Sequence, residues 1–231
     1  MVILTRKNIS SLPIVCSNIA TALQTLFFWS FMEALSLPKS WNVDRILDDL
    51  DQHGFTVIDH AYPADYVQQL IKECTENLNR FRDAAIQNGV ISKIRSDHIL
   101  WINKDLEIAQ HHIHTLQQLS QIFNAAFYMG IKEVEAHFAC YNAGEFYALH
   151  RDNPQGKNGR MISTVYYLHD EWQDDWGGKL HLLDKNNVWH ILEPKPNRIA
   201  LFQSDLLHEV LEAKHQRLSI TAWLRSDSHI L

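Results

Sequence analysis

Apolar residues at Val43, Ile46, Leu47 and Leu50 recur at the spacing of a helix face, and Gly54 follows as a stop. Residues 55–58 then read as a short strand. After the turn at Pro63, Val67, Leu70, Ile71, Cys74, Leu78 and Phe81 form one helical stripe. Residues 91–102 look extended, and 105–127 form a second long helix with Ile108, Leu116, Leu119 and Phe123 facing inward. From Val134 the pattern changes to short β-rich runs at 134–141, 162–168, 179–183, 188–192, 198–202, 207–210 and 218–224, separated by loops rich in Gly, Pro, Asn and Asp. Strands at this spacing predict a sandwich or barrel. Helices first and strands later predict an α+β fold in which N-terminal helices brace a jelly roll. The expected organisation is an extension at 1–38, a helix-rich support region with the first strands at 39–130, and a β core at 131–227.

The extension is ambiguous. Arg6 and Lys7 precede an apolar stretch over residues 12–35, the order of a signal sequence or anchor. Asn18, Gln24 and Thr25 interrupt it, and Met32 is an alternative start. The stretch is polar enough that no membrane span is expected.

Length and charge narrow the function. A chain of 231 residues suits one domain with an annex. Its net charge is −6 with no basic run, so nucleic acid is not an expected partner. Cys16, Cys74 and Cys140 are widely separated and lack CxxC spacing, which fits reduced thiols in a cytoplasmic protein. The tract His111-His112-Ile113-His114 has no carboxylate partner nearby in sequence and is read as a solvated helix face.

The chemistry gathers near the C-terminus. In an extended strand His150 and Asp152 point the same way and can reach one metal ion. His208 is the candidate third ligand, and two histidines with one carboxylate on one octahedral face mark non-haem iron(II). A lone HxD pair is weak evidence. The last strand adds to it. Arg217, Ser219, Thr221 and Trp223 alternate with Leu218, Ile220, Ala222 and Leu224. One face is apolar; the other carries a cation and two hydroxyls. That polar face meets either water or a cavity built for an anion, since guanidinium grips carboxylate through two parallel hydrogen bonds. Arg217 lies nine positions after His208, close enough for one small diacid to touch both.

Longer motifs point the same way. The run from Tyr141 through Gly144, Tyr147, His150 and Asp152 to Pro154 resembles the prolyl hydroxylases that act on hypoxia-inducible factor and their bacterial relatives. So do Gly159-Arg160 through Tyr166-Tyr167-Leu168, Gly177-Gly178, His208-Glu209-Val210, Arg217 through Trp223, and the upstream run from Ile94 through Asp97 and Trp101 to Ile102. This resemblance spans roughly residues 40 to 226. It implies a double-stranded β-helix and an Fe(II)- and 2-oxoglutarate-dependent dioxygenase that also uses O2, with ascorbate as a candidate reductant. It makes His150, Asp152 and His208 the iron ligands. Arg217, helped by Tyr167 and Thr221, would hold the distal carboxylate of 2-oxoglutarate, with Tyr141 at its chelating end. Tyr147, Arg160, Trp223, Asp97 and Trp101 would shape the entrance, and residues 85–93 a short loop over it. The carboxylate at Asp152 implies hydroxylation, since related halogenases lack it. The implied partner is a protein presenting a proline. A free amino acid or small metabolite is the first rival target, and a metal-binding jelly roll without turnover the second.

Overall fold

The structure is a computed structural model that describes residues 37–84, 94–156 and 159–228. The extension before Leu37 and the loop expected at 85–93 lie outside the described residues. Helix α1 (Val43–His53) begins at Asn42, whose side chain accepts from the Arg45 N–H, and buries Ile46 and Leu50. It stops at Gly54, whose φ of 79° suits a residue without Cβ and whose N–H donates to Leu50 O. Strand β1 (Phe55–Ile58) follows directly.

Helix α2 (Ala64–Glu76) is shorter than its apolar stripe predicts. At Asn77 the side-chain amide donates to Glu73 O and the chain passes into a 3₁₀ turn over Leu78–Arg80, so Phe81 leaves the helix. Strands β2 (Arg82–Asp83) and β3 (His98–Trp101) pair with each other. Helix α3 (Glu107–Phe127) has no capping side chain of its own; Glu73 from α2 accepts the Ile108 and Ala109 N–H groups instead. The histidine tract lies on α3 but is not a uniformly solvated face. His111 and His114 are exposed, whereas His112 is fully buried and paired with the Tyr62 hydroxyl at 2.8 Å. The 3.6-residue period places 112 on the same stripe as Ala109, Leu116, Leu119 and Phe123.

The remaining strands are β4 (Glu133–Tyr141), β5 (Tyr147–His150), β6 (Arg160–Tyr167), β7 (Leu180–Leu183), β8 (Trp189–Leu192), β9 (Ile199–Gln203), β10 (His208–Val210) and β11 (Arg217–Arg225). They form an antiparallel seven-stranded sheet in the order β1-β9-β6-β11-β4-β3-β2 and a four-stranded sheet in the order β5-β10-β7-β8. One face of the large sheet packs on the helices; α3 meets both β4 and β11. The small sheet covers the other. Val165, Tyr167, Ala200 and Phe202 meet Leu180 and Leu182, and Ala139 and Tyr141 meet Val210 and Ala213. This is the expected α+β jelly roll. Among the described residues no helix is long and apolar enough to cross a membrane.

Candidate functional site

His150 ends β5 and sits directly opposite His208 on β10. Asp152 lies in a bend two residues past the strand, not within it as the period-two argument supposes. That bend is held because Asn153 N–H donates to Ser204 O and Ser163 Oγ donates to Asp152 Oδ2 at 2.6 Å. Ser163 is itself buried and bonded to Ser204 Oγ at 2.9 Å. His150 Nε2 lies 3.5 Å from Asp152 Oδ1, and His208 Nε2 lies 3.6 Å from Asp152 Oδ2. One ligand atom from each residue falls within 4.8 Å of the others.

The tautomers follow from the partners. His150 Nδ1–H donates to Ala148 O at 2.8 Å, and His208 Nδ1–H donates to Leu206 O at 2.9 Å. A carbonyl oxygen only accepts, so both Nδ1 atoms carry a proton, and both Nε2 atoms, the ones left for a metal, face Asp152. Burial holds His208 down to about 4, so it is neutral at ordinary pH. Burial raises the Asp152 carboxyl, but the neighbouring His208 and His150 side chains and the hydrogen bond from Ser163 outweigh it. Asp152 therefore lies well below the usual carboxylate range and is ionised. Two imidazoles held by their Nδ1 atoms and one carboxylate make a donor set that fits a divalent first-row ion, whose bonds to such ligands are about 2.1 Å.

Across the same cavity, β11 turns Arg217, Ser219, Thr221 and Trp223 inward. Arg217 is 1 % exposed. Its Nη1 donates to Ser219 Oγ at 3.2 Å, while Nε and Nη2 have no partner among the described residues. The guanidinium carbon is 4.9 Å from the ring centres of both Tyr141 and Tyr167, and the Tyr167 hydroxyl is also buried without a partner. A buried cation with two idle N–H groups is the second fit: it is complete only with an anion such as a carboxylate. Gly178 backs the guanidinium, with φ at 59° and a position where a Cβ would come within 2.9 Å of Arg217 Cδ. Apolar Val165, Leu180, Phe202 and Val210 line the space between.

The entrance residues divide. Trp101 is 40 % exposed and forms a rim; Trp223 lies below it, with the Arg160 guanidinium 3.5 Å above the indole. Tyr147 stacks on His150, ring centres 3.6 Å apart at 16°. Asp97 is not at the entrance surface: it is 1 % exposed and grips Arg95 through two 2.7 Å bonds, because a carboxylate this deep needs a paired cation. Arg95 in turn caps the Tyr147 ring at 4.4 Å. Thr221 lines the cavity beside them. The sequence reading missed Arg95, Ser163 and His137. Arg95 and Ser163 lie inside runs that carry the resemblance, but only their contacts, with Asp97 and Tyr147 in one case and Asp152 in the other, show what they do; His137 lies outside those runs.

Comparison with known proteins gives one picture. The model of the 2OG-Fe(II) oxygenase superfamily matches residues 136–225. Human prolyl hydroxylase EGLN3 is 31% identical over 200 residues, covering 78% of this chain and 82% of that protein. The hypoxia-inducible factor prolyl hydroxylase of Caenorhabditis elegans is 27% identical over 219 residues, 86% of this chain, but the chain spans only 30% of that longer protein. The crystal structure of a Pseudomonas putida prolyl-4-hydroxylase superposes with a TM-score of 0.74 at 33% identity, over 80% of this chain and 100% of that one.

Proposed function

The chain belongs to the 2OG-Fe(II) oxygenase superfamily, and from that premise we propose that it hydroxylates a prolyl residue of a protein. In this reading His150, Asp152 and His208 hold Fe(II). Arg217, with Tyr167 and Thr221, holds the distal carboxylate of 2-oxoglutarate, and Tyr141 lies at its other end. Trp101, Trp223, Arg160 and Tyr147 meet the target, while Asp97 acts through Arg95. The buried, free Cys74 and Cys140 suit a reducing cytoplasmic location. One observation carries the reading: two locked imidazoles and a carboxylate share a cavity with a buried guanidinium that lacks an anion.

Bound Fe(II), with O2 and 2-oxoglutarate, supplies the oxidising power that hydroxylates a C–H bond as the oxo-acid becomes succinate and CO2. The chain's own work is geometric. The backbone carbonyls of Ala148 and Leu206 keep both Nε2 atoms bare. Ser163 fixes the rotation of Asp152, and the apolar lining excludes water.

The test is incubation with Fe(II), 2-oxoglutarate and a panel of proline-bearing proteins and free amino acids. Succinate release should accompany the gain of one oxygen on a prolyl residue. Oxygen found only on a free amino acid moves the target to small metabolites, and no succinate with any partner leaves a binding protein. Two substitutions probe the supports. Ser163→Ala should weaken iron binding by about 10- to 100-fold, as loss of an outer hydrogen bond to a ligand does, with the fold intact by circular dichroism. Gly178→Ala should raise the KM for 2-oxoglutarate several-fold, because a Cβ there strains the backbone and pushes on Arg217. An unchanged KM would show that the guanidinium has room to retreat.

A further inference from the structure

His137 is a cavity residue that no motif announces. It lies inward on β4, opposite Thr221 on β11 and next to Trp101 on β3. The ring is 1 % exposed and lies against two indoles, 5.1 Å from Trp101 and 5.3 Å from Trp223, centre to centre. Its Nδ1 is buried without a partner, and no hydrogen bond to either ring nitrogen occurs among the described residues. Nor does it belong to the metal-competent group. Packing alone is a poor account of it, because a buried polar atom without a partner is costly and an apolar side chain would fill the space. The other idle groups on this wall are Arg217 Nε and Nη2 and Trp223 Nε1. His137 thus shares the signature of groups that wait for a ligand.

Its place separates it from the oxo-acid end. Tyr141, beside Arg217, is four residues away along β4, about 13 Å of extended strand. The ring stands instead with the tryptophans of the entrance. The chemistry of a prolyl target supplies the reason for a donor there. A prolyl nitrogen carries no hydrogen, so its backbone offers only carbonyl acceptors to the enzyme around that residue. We propose that His137 is a specificity-determining residue whose ring N–H, alongside Trp223 Nε1–H, donates to a backbone carbonyl flanking the target proline. This rests on the prolyl-hydroxylase reading above. Burial, with Arg95 and Arg160 nearby, holds the imidazole down to about 3, so the ring is neutral and keeps one N–H to give.

The experiment is steady-state kinetics with Fe(II), 2-oxoglutarate and short synthetic peptides each bearing one central proline, with free L-proline in parallel. On the best peptide, His137→Leu should raise the peptide KM about tenfold, the effect of one lost hydrogen bond, while kcat falls less than about threefold. His137→Gln, whose amide restores a donor, should return the KM to within about threefold of wild type. An unchanged peptide KM in His137→Leu overturns the proposal, as does equal damage in both variants or a rise confined to the KM for 2-oxoglutarate. If the wild-type enzyme oxidises free proline and no peptide, the underlying reading falls and this inference with it; if it oxidises peptides and the variants fail the pattern, only this inference falls.

Discussion

His208→Ala should yield a folded protein that retains no iron after dialysis and releases no succinate above background. Each ligand atom of the site belongs to a different backbone position, and among the described residues no other side chain joins the metal-competent group. Removing His208 Nε2 leaves His150 and Asp152, a pair that cannot by itself hold a labile divalent ion against buffer. The strand itself should survive. Its hydrogen bonds to β5 and β7 are backbone bonds, and the lost ring packs on two rings, His150 at 4.2 Å and Phe202 at 4.7 Å. Metal linkage gives a readout independent of turnover. Mn(II), which takes the same ligands without reacting with O2, stabilises the wild type by about 2.7 kcal/mol at a hundred times its Kd. In a domain of this size that raises Tm by roughly 5–10 °C. The Ala variant should show no such rise. Stoichiometric metal in that variant would mean that another residue is the third ligand.

Much of this was legible in the sequence because the relevant patterns are local. Gly54 ends α1 where its φ demands a glycine, and the alternation on β11 separates the helix-packed face from the cavity face. Asp152 was identified for a reason that proved incomplete. The HxD spacing brings both side chains to one point, yet β5 stops at His150, and the bend that carries Asp152 depends on Ser163 from β6 and Ser204 from the turn after β9. Those partners are 11 and 52 residues away from Asp152, and nothing in the Asp152 segment itself points to them. His112 failed for the opposite reason: a cluster of three histidines suggested a solvated face, while the helical period assigned its middle member to the core. Asp97 and His137 belong to the same class. What each does is set by its surroundings: Asp97 holds Arg95 two residues before it, which reaches across to Tyr147, and His137 meets Trp223 on the next strand; register between strands is not written in either segment alone.

Arg217→Leu separates a ligand anchor from a structural keystone more sharply than any other change. A buried arginine that stabilises a fold does so through paired carboxylates or carbonyls, and its removal leaves partners stranded at a cost of several kcal/mol. Arg217 strands almost nothing. Its one protein hydrogen bond goes to Ser219 Oγ, which lies within the same strand. Two of its nitrogens are already unsatisfied, each costing about 1–3 kcal/mol in the ligand-free state. Leucine covers the aliphatic part of the site without that burden, so the variant should melt no lower than the wild type in the absence of 2-oxoglutarate, and its Tm should not rise when the oxo-acid is added. Loss of a charge-assisted pair of bonds, about 1.5–3 kcal/mol, should raise the KM for 2-oxoglutarate by roughly 10- to 150-fold. Arg217→Lys should fall between, since it keeps the charge and gives up the planar fork. A variant that unfolds, or one whose demand for 2-oxoglutarate stays at the wild-type level, would mean that the idle nitrogens serve the fold and that the diacid is held elsewhere.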